Sequence, residues 1–213
     1  ALGKPSVCGE IGTILSYEWA IFMNFARQEI TSISADPRKL LFPKYTLRPG
    51  ATYQVMVYVR AKSPTPAVSM ASLYIEHGPI TAIVRGGAVR QQPVDQSMIL
   101  TGADSIDNDF IPGTSMTGLL TYRWSCVITS FNALGETCDY ILGTEDTRSS
   151  VAVTIQKFSL DDLYLYRVTL LVQSIDGIRS NMYNVELTPI SAGSPVVTVS
   201  TGTPKFNPSD KLL

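Results

Sequence analysis

Leu15-Ser16-Tyr17-Glu18-Trp19 and, 105 residues further on, Leu120-Thr121-Tyr122-Arg123-Trp124 carry one pattern, Leu-x-Tyr-x-Trp, in two halves of one chain. In both, large apolar residues fall on every second position, the period of a strand with one buried face. The second stretch continues the alternation, with Leu120, Tyr122, Trp124, Cys126 and Ile128 against Thr121, Arg123, Ser125 and Val127. A further pattern follows each. Leu47-Arg48-Pro49-Gly50-Ala51-Thr52-Tyr53 and Leu160 to Tyr166 both set Leu and Tyr six apart. Each Tyr opens an alternating run: Tyr53, Val55, Val57 and Val59 in one half, Tyr166, Val168, Leu170 and Val172 in the other. Trp and Tyr are 34 residues apart in the first half and 42 in the second. Patterns recurring in this order mark a duplicated module.

Trp19, Tyr53, Trp124 and Tyr166 are therefore the expected core pins. A Trp on a central strand and a Tyr near the start of a late strand, its hydroxyl returning to backbone a few residues upstream, make the tyrosine corner of Greek-key sandwiches. The expected fold is all-β: tandem immunoglobulin-like antiparallel β-sandwiches. Helical periodicity is scarce. One stretch, Trp19 to Gln28, is long enough for two turns, but it is aromatic-rich and follows the strand period.

Composition agrees. Of 213 residues 45% are hydrophobic and only 16% charged, and 13 Pro and 15 Gly are spread along the length, which suits many short strands joined by turns. A net charge of −1 leaves no electrostatic footprint for nucleic acid or an anionic membrane. No run reaches the roughly 18 apolar residues that span a bilayer, so no membrane segment is expected within the chain.

The repeat sets the expected domains. Residues 1–77 form a first sandwich, truncated at its N-terminus because only about fourteen residues precede its Leu-x-Tyr-x-Trp strand, against about forty in the second copy. His77-Gly78-Pro79 breaks the pattern, and 78–189 form the second sandwich, with strands expected at Ile80–Arg85, Ser97–Ala103 and Tyr183–Leu187. Residues 190–213 are a linker followed by Pro195-Val196-Val197-Thr198-Val199, the expected first strand of a further copy. The chain reads as a fragment of a longer array.

Cys126 and Cys138 enclose eleven residues in the region where the second copy is eight residues longer. A local disulfide would staple that loop and imply an oxidising compartment; the alternative is buried, reduced thiols. Cys8 is expected to stay free or to bond outside the chain. Asp104, Asp107 and Asp109 form one carboxylate cluster. A weak Ca²⁺ site would draw on such oxygens, but the spacing is not that of an EF-hand and no Glu closes it, so turn capping is the simpler expectation. Asp161-Asp162 reads as a solvated turn. His77, the only histidine, has no Gly-x-Ser-x-Gly elbow or zinc-ligand set to join. Arg85-Gly86-Gly87-Ala88-Val89-Arg90 lies between strands with no helix to receive a phosphate and reads as a turn or bulge. No N-glycosylation sequon occurs; Ser63-Pro64-Thr65-Pro66 and Thr201–Pro208 are either O-glycan carriers or stiffened turns.

Ser97-Met98-Ile99-Leu100-Thr101-Gly102-Ala103-Asp104-Ser105-Ile106-Asp107-Asn108-Asp109, followed by Leu120 to Cys126, resembles polycystic-kidney-disease (PKD) repeats and the receptor-for-egg-jelly (REJ) module. Those families carry a strand ending in Leu-x-Ala/Gly-x-x-Ser-x-Asp-x-Asp, a variable loop, then Leu-x-Tyr-x-Trp. The egg-jelly type adds a Cys soon after that Trp and another downstream, as at Cys126 and Cys138. The first copy lacks the Ser-x-Asp-x-Asp segment and has Ala20-Ile21 in place of Ser125-Cys126. The resemblance implies an ectodomain segment of a large cell-surface or ciliary protein, as in polycystin-like proteins, with adhesive or force-bearing roles and no catalysis.

Two readings of function compete with an enzyme, for which no motif speaks. One is a structural or adhesive array whose partners are neighbouring domains, other surface or filament proteins or glycans, or further copies in a homo-polymer. The other is a carbohydrate-binding module, which requires exposed, coplanar aromatics; Phe22, Phe25, Tyr58 and Tyr74 are the candidates. Fold alone does not choose between them.

Overall fold

The alternation of the first half builds one four-stranded antiparallel sheet. Strands β1 (Ser16–Met23), β2 (Ala26–Gln28), β3 (Thr52–Arg60) and β4 (Ala67–Tyr74) are ordered β2-β1-β3-β4 in the computed structural model, which describes residues 14–61 and 65–193. Trp19–Gln28 is thus not helical. It is β1, a two-residue turn and β2. Asn24 and Phe25 form that turn with φ of 48° and 63°, the paired positive values that a tight hairpin matching strand twist requires. The 52–60 run pairs with both neighbours, and Tyr53 and Val57 are its buried members.

The second half builds two layers. Short strands β5 (Ile80–Thr81) and β6 (Val89–Pro93) precede β7 (Met98–Thr101) and β8 (Ile106–Asp107). Then come β9 (Leu120–Ile128), β10 (Ala152–Ile155), β11 (Tyr166–Ser174) and β12 (Ser180–Ile190). One sheet has the order β6-β12-β11-β9, antiparallel except where β6 runs parallel to β12; β7 and β10 form a second, antiparallel pair. Ile80–Arg85 is strand only at Ile80–Thr81, yet Ala82 and Val84 remain buried. Strand β11 alternates without a fault: Tyr166, Val168, Leu170, Val172 and Ser174 are all buried. Trp124, Leu170 and Leu187 from the larger sheet meet Leu100, Val153 and Ile155 from the smaller one in a single apolar core. Each such side chain contributes about 1.5–3 kcal/mol on leaving water.

The chain divides into two compact units, one of Ala1–Pro79 with Asp107–Ser115, the other of Ile80–Ile106 with Met116–Leu213. Asp107–Ser115, which by sequence belongs to the second copy, is part of the first unit. Cys8, Pro195–Val199 and Thr201–Pro208 lie outside the described residues, as do Ser63 and Pro64 of the first Pro-Ser/Thr segment. Among the described residues no helix is long and apolar enough to cross a membrane.

Candidate functional site

The pinning aromatics occupy matching places. Trp19 pairs with Val57 and Trp124 with Leu170, in both cases the residue four beyond the tyrosine. Each indole N–H donates 2.9 Å to a backbone carbonyl, that of Pro37 in the first copy and Ser150 in the second. Both acceptors lie sixteen residues before the tyrosine (37 to 53, 150 to 166). The eight extra residues of the second copy therefore fall between Trp124 and Ser150, on the disulfide side of the acceptor.

The tyrosine corners match as well. The Tyr53 hydroxyl accepts the amide of Arg48 at 2.8 Å; that of Tyr166 accepts the amide of Asp161 at 3.0 Å. Both bonds reach five residues upstream, and both rings are buried. Burial pushes the Tyr166 phenol above its ordinary value. One matching feature has no signal in residue type. Two positions before Leu47 and Leu160 stand Tyr45 and Phe158, aromatic residues held at φ of 61° and 62°. This left-handed conformation is uncommon for bulky side chains.

Cys126 and Cys138 are joined in a disulfide with Cα atoms 4.8 Å apart. Both are buried, and the amide of Cys138 donates to the carbonyl of Cys126. Asp139, next to the bridge, accepts the Cys126 amide at 2.7 Å and pairs with Arg148, which also pairs with Glu145. The longer loop is thereby fastened by a covalent bond and an ionic network on the same wall of the core.

The carboxylate cluster does not converge. Asp104 makes a two-point ion pair with Arg85, both bonds 2.9 Å, and the guanidinium holds its carboxyl below the usual range. Asp107 is buried and its Oδ1 accepts the amide of Asp109. Asp109 Oδ2 lies 2.6 Å from His77 Nδ1, and its Oδ1 takes the amide of Gly78. Among the described residues no three His, Cys, Asp or Glu side chains are placed to hold a metal ion. The reason is geometric: successive carboxylates in an extended turn point to different neighbours, and each has found an N–H. The Ser105 hydroxyl accepts the amide of Ile83 at 3.1 Å, so the Ser-x-Asp-x-Asp segment serves as a structural turn.

His77 is built into the first unit. Its ring lies against Gly50, where an added Cβ would come 2.5 Å from Nε2, and Gly50 itself has φ of 72°. Asn108 donates through both its backbone amide and its side-chain nitrogen to the carbonyl of Pro79. Residues 77–79 and 107–109 are thus laced together beside the first tyrosine corner. In the 85–90 turn, Gly86 and Gly87 have positive φ and the Arg90 guanidinium caps the carbonyls of Arg85 and Gly87. Asp161 caps the amide of Leu163, and Asp162 accepts the Ser191 hydroxyl.

Several solved structures align with the chain at low identity. It aligns with the PKD domain from human KIAA0319 at 15% identity over 56% of this chain and 88% of that one (TM-score 0.32). With Drosophila N-cadherin EC1-3 it shares 12% identity over 83% of this chain and 56% of that chain (TM-score 0.35). With the fibronectin(III)-like modules of Clostridium thermocellum CbhA it shares 9% over 91% and 87% (TM-score 0.32). The family model described as "REJ domain" matches residues 8–212. Since that match takes in both Trp–Tyr pairs and the disulfide, the chain belongs to the REJ domain family.

Proposed function

We propose that this chain is a non-catalytic structural and adhesive segment of a large multidomain protein displayed outside the cell, with its modules serving as a spacer between surface partners. The observation that carries the reading is the Cys126–Cys138 disulfide, sealed in the wall of the second core. Such bridges persist in oxidising compartments and are rare in the cytosol. The strand order supports a load-bearing role. Because β6 lies near the start of the second unit and runs parallel to β12 at its end, tension between those strands loads their ladder in shear.

The single histidine is engaged at Nδ1 by Asp109, and its Nε2 lies against the Gly50 turn. Strand register weakens the glycan-platform reading. Tyr58 pairs with Val68 and Tyr74 with Thr52, so the two tyrosines stand six pairs apart, about 20 Å along the strands. Phe22 pairs with Gln54, about 13 Å from the Tyr58 position. These rings do not form one contiguous row.

The test is mass spectrometry of an unreduced digest of the protein recovered from its native setting. The expected product links the Cys126 and Cys138 peptides. Recovery of both as free thiols would remove the extracellular reading.

A further inference from the structure

We propose that β4 is the pairing edge of a two-fold homodimer: β4 of one copy adds antiparallel to β4 of a second and joins their two sheets into one. The proposal does not depend on the spacer reading above and goes beyond it by naming a contact between copies of the chain.

The backbone supplies the first reason. Among the described residues β4 has one hydrogen-bonded neighbour, β3, and lies at the end of its sheet. The Ile75 amide donates to the carbonyl of Ala51, and the Ile75 carbonyl accepts the amide of Gly50, so residue 75 turns its polar groups towards β3. Orientation alternates along an antiparallel strand. Leu73, Ala71 and Ser69 therefore turn inward with Ile75, and Tyr74, Ser72, Met70 and Val68 turn N–H and C=O away from the sheet. From Val68 to Tyr74 this outward row is about 20 Å long, and its natural complement is another extended strand.

The side chains supply the second. All eight residues of β4 are exposed, those on one face of the sheet as well as those on the other. Val68, Met70 and Tyr74 are 50%, 58% and 57% exposed. Sheet edges are ordinarily guarded by Lys, by Pro, by a bulge or by a covering loop. Ala67-Val68-Ser69-Met70-Ala71-Ser72-Leu73-Tyr74 contains neither a charge nor a Pro. The second unit guards its own long edge strand, β9. There the Cys138 amide takes the Cys126 carbonyl, the Asp139 carboxylate takes the Cys126 amide, and the Glu136 carbonyl takes the Ile128 amide. The disulfide-stapled loop thus closes β9, whereas β4 lies bare.

Self-complementarity identifies the occupant. An antiparallel register that sets Val68 against Tyr74 of the second copy, and Met70 against Ser72 of the second copy, matches each outward donor with an outward acceptor. The two-fold axis then passes through Ala71, so a small side chain meets its own copy where the strands come closest. Valine against tyrosine is a favourable cross-strand pair, and no like charges face each other because β4 has none. Val68 and Met70 stand beside Tyr58 and Met56 of β3, so the apolar strip continues across the seam. One patch used by both partners is the isologous contact of a closed dimer. A single strand pair belongs with small interfaces, below about 1,200 Å² of total buried surface, so the dimer is weak and depends on concentration.

Sedimentation equilibrium of the 213-residue chain over a concentration series tests the proposal, with hydrogen exchange read by NMR on the same samples. Monomer is expected to give way to dimer as concentration rises. The amides of Met70 and Ser72 should slow roughly tenfold with it, while β11 amides stay unchanged. Ala71→Lys sets two ammonium groups against each other at the axis and Ala71→Glu two carboxylates; each should weaken association by about tenfold or more. An equimolar mixture of the two variants should associate again, and β3 amides in each variant alone report that the first unit is folded. A monomer at every concentration would overturn the proposal. So would association that both variants leave unchanged, which would put the contact elsewhere, or a mixture that fails to pair. Slow exchange of Met70 and Ser72 in the monomer would make a segment of the same chain the occupant and overturn it too. None of these results touches the spacer reading, which rests on the disulfide.

Discussion

The two units plant the same tryptophan in the same register, and they surround it differently. Trp124 is fully buried between two sheets, with Leu100, Val153 and Ile155 supplied by the β7–β10 pair. Trp19 sits on a single four-stranded sheet and is only half-buried; where the second unit has strands, it meets the loop that carries Pro37. A strand's sequence thus fixes which residue faces inward, while the depth of burial depends on what lies opposite. The indole N–H finds a carbonyl in both units, which is the constant part of the arrangement.

That contrast can be broken most sharply at the tryptophans. Trp124→Ala should cost about 4 kcal/mol, the range for emptying a large aromatic site in a closed core. Trp19→Ala should cost about 1 kcal/mol, the common value for a partly exposed site. Denaturant-dependent hydrogen exchange of β11 and β3 amides reads each unit separately. Equal losses would mean that Trp19 is as enclosed as Trp124.

The disulfide separates the units next. Replacing Cys126 and Cys138 by Ser should destabilise the second unit by about 3 kcal/mol, the chain-entropy expectation for a loop of this length. The first unit should be unaffected, and urea midpoints followed on the same amides check this. A loss shared equally by both units would show that they unfold as one body.

The tyrosine corners sharpen the likeness. Tyr53→Phe and Tyr166→Phe each delete one hydroxyl that accepts a backbone amide five residues upstream, so each should cost about 1 kcal/mol. A normal cost at one and none at the other, in thermal unfolding, would break the equivalence of the two corners.

The smallest effect is one of pH and belongs to the first unit alone. Hydrogen bonds from Arg38 hold the Asp36 carboxyl at about 2, below its ordinary 3.8, in the turn whose Pro37 carbonyl accepts the Trp19 indole. A depressed folded-state value contributes stability above pH 3.8 that fades as pH falls towards 2. Asp36 lies part-exposed at the surface, so the effect is local. Trp19 emission in a Trp124→Phe background should shift across that window, and Arg38→Ala should move the carboxyl midpoint, read by NMR, back up towards 3.8.

Residues at the strand period were legible from the chain alone. Leu-x-Tyr-x-Trp, the Leu–Tyr spacing and the eight-residue excess between Trp124 and Tyr166 follow from side-chain type, and the observed pairing registers carry the same Trp–Tyr offsets. The paired Cys126 and Cys138 were legible too, because their separation and place fell inside the inserted loop. The carboxylates were legible in part. Turn capping was the simpler expectation for three Asp within six residues, but nothing in their spacing tells which N–H each will meet, and Arg85, the Asp109 amide and His77 took one apiece. Tyr45 and Phe158 left no trace, since a left-handed backbone at an aromatic residue is imposed by its surroundings and not by its own preference.

What the sequence determined by itself is local and periodic: where strands run, which face turns inward, which aromatics pin the modules, and which cysteines can meet. Only the tertiary structure decided that Asp107–Ser115 joins the first unit, that His77 is spent on Asp109, and that Phe158 and Leu163 stand uncovered. The physical reason is the range of the forces. Alternation is written residue by residue along the backbone, whereas hydrogen-bond partners and burial are set by segments tens of residues away, whose approach no spacing in the chain encodes.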